Sequence, residues 1–280
     1  MKLGLGLSLT GMQRRRDTPA FDPDAAAFIA AREAADGAAL EPGVKAAYND
    51  FVVGLKNDSL FSRLVSCGII AGAHTVNGAI VTLIGPSATN VNLVNADLNR
   101  QSGLKGNGAT KGLLTNVMQN SVPWLDVSFA AYVTDTGTGT TGNVAIGGCL
   151  QNPADALVLE KSGTAGRGRS RLRTAALSGI PSTAAIDAPF FFGVSRSLAA
   201  SYQELYGPHA RTDNSEADDD PGAGNYNGIG VLARADRDNT LASFDFDGRL
   251  AFWAYGQSLS LPLLRDRVET LMTAIEDALT

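Results

Sequence analysis

The sequence predicts a mainly β protein, an antiparallel β-sandwich or jelly roll, with helices before it and one helix after it. From about residue 68 onward, short apolar runs are separated by turn residues at fairly regular intervals, which is typical of such sandwiches. The 280 residues include 31 Gly and only 18% charged residues, whereas a helical bundle would contain more Glu, Lys and Arg. No strand–helix–strand alternation is present, which disfavours an α/β fold.

The first predicted element is an apolar alternation at the N-terminus, in which Gly and Ser separate Leu3, Leu5, Leu7 and Leu9. This is the period of a half-buried strand. The apolar stretch is too short for a signal peptide, and three arginines follow it. We expect residues 1–20 to form an arm that adds to another sheet edge, with a first strand inside its own domain as the alternative.

Residues 21–66 are predicted to form a helical docking segment. Asp22 is the expected N-cap of a first helix, Pro23 begins it, and Gly37 ends it. A second helix begins near Pro42, and a short helical turn follows from Ser59. The second helix has one apolar face, formed by Val44, Ala47, Tyr48, Phe51, Val52 and Leu55.

Residues 67–280 are predicted to form the jelly-roll domain with a closing helix. Ser260 is the expected N-cap of that helix, and apolar residues from Leu264 to Leu279 recur at helical spacing. The predicted strands are Ala79–Ile84, Leu113–Asn116, Trp124–Val133, Gly142–Gly147, Ala156–Glu160, Arg169–Thr174, Phe190–Ser195, Tyr202–Tyr206, Tyr226–Ala233 and Ala251–Tyr255.

Composition excludes several classes of protein. The apolar fraction of 44% is too high for a disordered chain, and no apolar run reaches the ~18 residues of a membrane span. The net charge of −5 disfavours bulk nucleic-acid binding. Only His74 and His209 are available for zinc or histidine-base chemistry, and Cys67 and Cys149 are too far apart in sequence for a metal cluster. We expect no cofactor.

The sequence contains no strong catalytic motif. The stretch from Gly103 to Gly112 has the glycines of a phosphate-binding loop but a misplaced Lys, so a hairpin turn explains it better. Ser195 lies in a segment that lacks the second Gly of a nucleophile elbow. Asp245 and Asp247 alternate before Gly248, which favours a hairpin turn and leaves a Ca²⁺ site or a catalytic carboxylate pair as alternatives. We therefore expect no enzyme activity, no catalytic residues and no metal ligands.

Two charged segments are candidates for an interface. Four arginines alternate with smaller residues and would line one face of a strand, and they are Arg167, Arg169, Arg171 and Arg173. The loop that contains Asp218, Asp219 and Asp220 is acidic and lacks EF-hand spacing. The two segments have opposite charge, so they are a hypothetical contact between copies of the chain. A solvated strand and a solvated loop are the alternatives.

Several stretches resemble a set of phage and prophage virion proteins, and together they cover most of the chain. They are KLGLGLSLT, DPDAAAFIAAR, VKAAYNDFVVGLK, LKGNGATKGLLT, PFFFGVSRS, NGIGVLARAD and FDGRLAFWAYGQSLSLPLLRDRVETLMTAI. The resemblance implies a concanavalin A-like (laminin G-like) jelly roll that is associated with phage tails, baseplates or fibres. Members of the wider fold that cleave β-glucans have a Glu-x-Asp-x-x-Glu strand, and this sequence has no such triplet.

The resemblance implies a structural protein of a tailed-phage virion, in the tail tip, baseplate or fibre, that contacts other virion proteins and copies of itself. A host-glycan-binding module, a capsid decoration protein and a glycan hydrolase stay open as alternatives. For glycan contact, the candidates are Tyr226, Trp124 and Trp253, with a packed core as the alternative for both tryptophans. Assembly in the host cytoplasm predicts free thiols at Cys67 and Cys149.

Overall fold

A computed structural model describes residues 21–138, 143–148, 157–161, 168–172, 178–179, 188–198, 201–213, 228–243 and 246–280. In these residues, two mainly antiparallel sheets pack face to face, and three helices cover the outer face of one sheet. The predicted β-sandwich of jelly-roll type, with helices before and after it, is confirmed.

The helices begin and end where local signals predict. They are α1 Pro23–Asp36, α2 Pro42–Asn57, α3 Val76–Ala79 and α4 Leu261–Leu279, with 3-10 turns at Phe61–Arg63, Asn95–Asp97 and Gln119–Ser121. The Asp22 side chain accepts a hydrogen bond from the Asp24 N–H, and Gly37 ends α1 with φ of +66°. Since that backbone conformation is left-handed, Gly is favoured there.

The strands of the described residues follow in chain order. They are β1 Leu64–Ile69, β2 Thr89–Val91, β3 Leu98–Asn99, β4 Gly103–Lys105, β5 Gly112–Met118, β6 Val127–Asp135, β7 Asn143–Gly148, β8 Leu157–Lys161, β9 Gly168–Arg171, β10 Ser178–Gly179, β11 Phe190–Leu198, β12 Ser201–Tyr206, β13 His209–Asp213, β14 Gly228–Val231, β15 Arg234–Ala235, β16 Leu241–Ser243 and β17 Arg249–Gly256.

The first sheet has the order β13-β12-β11-β6-β17-β4-β3, and β1 pairs with β17 on the edge that β4 also uses. The second sheet has the order β10-β9-β8-β7-β14-β5-β2, with β15 and β16 attached. Some neighbouring strands are consecutive in the chain, such as β11 with β12 and β7 with β8. The central pairs, β6 with β17 and β5 with β14, join distant parts of the chain, as in sandwiches generally.

The first sheet is buried on both faces. Its inner face, with Phe129, Trp253 and Tyr255, packs against residues of the second sheet such as Ile146. Its outer face, with Phe252 among others, packs against α1, α2 and α4. This alternation of inner and outer side chains along each strand follows from the pleat.

The helices are joined to the sandwich by a helix junction, which we define as Arg32, Asp36, Glu41, Tyr48 and Arg100. Arg32 is fully buried, and its guanidinium donates to the backbone carbonyls of Ile69, Ala71 and Gly78 and to the Tyr48 hydroxyl. Its carbon atom Cζ lies 4.8 Å from the centroid of the Phe28 ring and 5.2 Å from that of Tyr48. Carbonyl dipoles and aromatic faces therefore compensate this buried charge.

The rest of the helix junction connects loops. Asp36 accepts hydrogen bonds from the backbone N–H groups of His74 and Thr75, and Arg100 pairs with Glu41 through two hydrogen bonds of 2.8 and 2.5 Å. This fork-to-fork pairing lowers the pKa of the Glu41 carboxyl below its ordinary value of 4.5. The junction thus links α1, the start of α2 and the loop that follows β1.

Nine of the ten predicted strands overlap a strand of the structure, and one was wrong. Ala79–Ile84 is not a strand, because Thr75 accepts a hydrogen bond from the Gly78 N–H and begins the short helix α3 there. The domain boundary expected at residue 67 falls inside β1, which pairs with β17 in the first sheet. The helical segment therefore shares its core with the sandwich.

Candidate functional site

A polar cavity of about 300 Å³ opens on the outer face of the first sheet, beside the beginning of α4. Five serines contribute most of its lining, and they are Ser195, Ser197, Ser201, Ser258 and Ser260. Gln203 and Leu259 complete it. We call this feature the serine cavity.

Strand geometry brings the serines together. In β11 and β12, Val194 and Tyr202 belong to the core between the sheets, so their neighbours Ser195 and Gln203 point to the opposite, helix-covered face. Ser195 pairs directly with Gln203 across the two strands. Since α4 begins only at Leu261, this end of the outer face is not covered by the helix, and a cavity remains.

The hydroxyl groups of the serine cavity are partly engaged. The Ser195 Oγ accepts a hydrogen bond of 3.0 Å from the Leu259 N–H, and the Ser197 and Ser201 hydroxyls lie 2.9 Å apart. Ser260 is the N-cap residue of α4, but its side chain makes no capping hydrogen bond. A hydroxyl has one donor and two acceptor positions, so these groups keep capacity for a ligand.

Asp126 positions one side of the cavity. Its carboxylate accepts hydrogen bonds from both the Ser258 N–H, at 2.8 Å, and the Ser258 hydroxyl, at 2.5 Å. Arg63 approaches the same carboxylate at 3.7 Å. Asp126 itself does not line the cavity, so its role is to orient Ser258 from behind.

The three aromatic residues predicted to contact glycan lie in different environments. Trp253 is 1% exposed in the core between the sheets, so its prediction as a sugar-stacking residue was wrong. Gly68 makes room for the indole, since a Cβ at that position would overlap it. Trp124 is partly exposed and lies two residues before Asp126, outside the lining of the serine cavity. Tyr226 lies outside the described residues.

The charged segments are only partly described. The strand β9, Gly168–Arg171, overlaps the predicted strand Arg169–Thr174, and Ser170 is buried between the sheets. The side chains of Arg169 and Arg171 lie outside the described part of the structure. The same is true of Arg167, Arg173, Asp218, Asp219 and Asp220, and of the arm residues Leu3, Leu5, Leu7 and Leu9. Their predicted contacts stay predictions.

A buried polar cluster between the sheets was missed by the sequence reasoning. The Ser170 hydroxyl of β9 donates to the Glu204 carboxylate of β12 at 2.8 Å and contacts the Tyr202 hydroxyl. Arg211 of β13 approaches the same carboxylate at 3.9 Å. Arg196 of β11 is also fully buried, and it donates to the backbone carbonyls of Leu172 and Leu198. Tyr202 and Glu204 are two residues apart and therefore share one face of β12, which was the available signal. The sequence does not show that this face is buried at Glu204, because Gln203 and Glu204 are both residue types that usually lie at the surface.

The other candidates for chemistry have structural partners. The Asp247 carboxylate accepts hydrogen bonds from the Thr138 N–H at 2.9 Å and from the Thr138 hydroxyl at 2.7 Å. The favoured hairpin turn at Asp247 and Gly248 was wrong, because β16 before it and β17 after it belong to different sheets. Its predicted partner Asp245 and the second cysteine, Cys149, lie outside the described residues, whereas Cys67 is a buried free thiol. No cluster of three or more potential metal ligands occurs among the residues that the structure describes.

The chain is similar in structure to several solved proteins. A Trypanosoma rangeli sialidase in complex with sialic acid matches at 14% identity over 78% of this chain and 34% of that chain, with a TM-score of 0.48. The botulinum neurotoxin serotype D binding domain matches at 10% identity over 74% and 51%, with a TM-score of 0.49. Domain 4 of AbnA, a Geobacillus stearothermophilus arabinanase, in complex with arabinotriose, matches at 13% identity over 73% and 98%, with a TM-score of 0.47.

This chain spans about a third of the length of the sialidase. All three TM-scores are below 0.5, so no functional property is carried over from these proteins. No protein-family model and no curated protein matches the chain. Among the described helices, none is both long enough and apolar enough to cross a membrane.

Proposed function

We propose that this chain is a structural protein of a tailed-phage virion whose β-sandwich binds a host-surface glycan through the serine cavity. The serine cavity is the observation that supports binding, because it is a concave surface lined by groups that both donate and accept hydrogen bonds. The motif resemblance across most of the sequence supports the virion role.

The chemistry of the cavity favours binding over turnover. A serine hydroxyl becomes a nucleophile only when an adjacent base takes its proton. Among the described residues, no His, Lys, Asp or Glu lines the cavity. Its hydroxyl and carboxamide groups match the hydroxyl-rich surface of a sugar, and they require no change of protonation state.

Purified particles test the virion role. Cryo-electron microscopy should place this fold in the tail tip, baseplate or fibre. Density in the head would instead support the capsid decoration alternative, and absence of the protein from infectious particles would contradict the proposal. A variant that lacks residues 1–20 tests the arm separately, since normal incorporation of that variant would show that the arm is not needed for docking.

Binding of the full-length protein to purified host envelope polysaccharide tests the glycan role. The double variant Ser197→Ala/Ser201→Ala removes a mutually hydrogen-bonded pair, so neither hydroxyl is left without its partner. We expect weaker polysaccharide binding at an unchanged melting temperature. The matched control is Ser87→Ala/Ser102→Ala, whose hydroxyls lie outside the cavity lining. Equal losses in both variants would contradict binding at the serine cavity.

A further inference from the structure

We infer that the serine cavity takes a single uncharged sugar unit with an acetamido group, and that Gln203 determines this choice. The inference rests on the proposed glycan binding and adds the class of sugar. Three properties of the cavity support it: its size, its charge, and the presence of one carboxamide and one apolar side chain in its lining.

The size of the cavity suits a single sugar ring. Ligand cavities range from roughly 300 to 1,000 Å³, and the serine cavity, at about 300 Å³, lies at the lower limit of that range. A single sugar unit of a chain would enter it, and the neighbouring units would lie on the open surface.

The charge of the surroundings favours an uncharged ligand. No ionisable side chain lines the cavity in the described part of the chain, so a ligand carboxylate would enter without a cationic partner. The beginning of α4 would attract an anion, but only weakly at an exposed position. The Asp126 carboxylate, 2.5 Å behind the Ser258 hydroxyl, opposes that attraction.

The presence of both Gln203 and Leu259 in the lining favours an acetamido group. Gln203 is exposed, and its carboxamide makes no hydrogen bond to any described residue. A carboxamide presents a donor and an acceptor together, which is the complement of the N–H and C=O of an acetamido group. The methyl of that group needs an apolar neighbour, and Leu259 is the apolar member of the lining.

The experiment is a titration of the full-length protein, by calorimetry or by nuclear magnetic resonance, with N-acetylglucosamine, glucose and glucuronate. We expect N-acetylglucosamine to bind about tenfold more tightly than glucose or glucuronate. Gln203→Ala and the isosteric Gln203→Glu should lower the preference for N-acetylglucosamine over glucose about three- to tenfold, because only the acetamido group uses both the donor and the acceptor of the carboxamide. Gln101→Ala, at an exposed position outside the cavity lining, is the matched control.

The outcomes separate this inference from the proposed function. If host polysaccharide binds at the serine cavity but Gln203→Ala leaves the sugar preference unchanged, the inference fails and the proposed function stands. Preferred binding of glucuronate would also overturn the inference. If the wild-type protein binds neither polysaccharide nor any of the three sugars, both fail. A melting temperature measured for each variant shows that the fold is retained.

Discussion

The helix junction and the serine cavity are both rich in polar groups, but they use those groups differently. At the junction, the Arg32 guanidinium is fully buried, and it donates hydrogen bonds to backbone carbonyls and to the Tyr48 hydroxyl. At the cavity, the Ser260 side chain makes no capping hydrogen bond and the Gln203 carboxamide is exposed. Satisfied, buried polar groups hold elements together, whereas unsatisfied, accessible ones can bind a ligand.

This contrast implies that substitutions at the junction should change stability and that substitutions at the cavity should change binding. A buried polar group that loses its partner costs about 1–3 kcal/mol, because it cannot return to water. An exposed group that loses its partner finds water again. The two regions are therefore separable by measuring unfolding and binding on the same variants.

The largest expected effect is at Arg32. The substitution Arg32→Met removes the donors that satisfy the carbonyls of Ile69, Ala71 and Gly78, and we expect the free energy of unfolding to fall by about 3–5 kcal/mol. Urea denaturation measures this loss. Arg265→Met, at a surface pair on α4, is the control, with an expected change within about 0.5 kcal/mol.

A stable Arg32→Met variant would break the comparison, since buried charges can sometimes be replaced by apolar residues without loss. In that case the junction would be held by its apolar contacts alone. Polysaccharide binding, measured in the same variant under conditions where it is folded, should be unchanged, because Arg32 does not line the serine cavity.

A smaller change in stability is expected from substitutions at the N-caps of α3 and α4. Thr75 accepts a hydrogen bond from the Gly78 N–H at 3.1 Å and donates one to Asp36 at 2.8 Å, so we expect Thr75→Ala to cost about 1–2 kcal/mol. Ser260 occupies the corresponding position of α4 without a capping bond, so Ser260→Ala should cost a few tenths of a kcal/mol at most. Thermal unfolding of both variants measures the difference. Equal losses would show that Ser260 is engaged in structure.

The smallest effect concerns pH. Because Arg100 lowers the pKa of Glu41 in the folded protein, the pair contributes stability above the ordinary pKa of 4.5 and loses it as pH falls through the lower, folded pKa. Both side chains are about one-third exposed, at 34% and 31%, so the contribution is about 0.5 kcal/mol.

Unfolding of the wild type and of Glu41→Gln, measured between pH 7 and pH 3, checks this expectation. The gap in stability between the two proteins should be largest at pH 7 and should close at the acidic end. Glu276→Gln, at an exposed position of α4, is the control variant for removal of a carboxylate. A gap that stays constant with pH would mean that the charge of Glu41 does not contribute.

Much of the fold was predictable because its signals are local. The Asp22 cap and the Gly37 stop define α1 without reference to the rest of the chain. Short apolar runs such as Phe190–Ser195, bounded by turn residues, predicted strands in the same way. The strand predicted over Ala79–Ile84 was wrong. Ala79 ends the short helix α3, which Thr75 caps, and the residues after it form no strand of the sheets. The segment is apolar because its residues pack against the core, and that does not require a strand.

The candidate site was less predictable, because it is assembled from distant parts of the chain. Ser195 was considered in sequence only as a failed nucleophile elbow, and Ser260 only as a helix cap. Neither residue indicates by itself that the 258–260 segment lies against β11 and β12. Trp253 was predicted at the surface as one alternative because a tryptophan in a strand has no local mark of which face it occupies.

The sequence by itself determined which segments form helices and strands, approximately where most of them begin and end, and the class of fold. Capping, turn chemistry and hydrophobic period act over a few residues, so these features can be predicted locally. Only the tertiary structure decided which face of the first sheet the helices cover and which carbonyls accept the hydrogen bonds of Arg32. It also decided where on that face the covering helix α4 begins. These depend on non-local pairing, such as β1 with β17, and on the place where α4 begins. Local signals therefore specify the parts of this protein, and long-range packing leaves the serine cavity open between them.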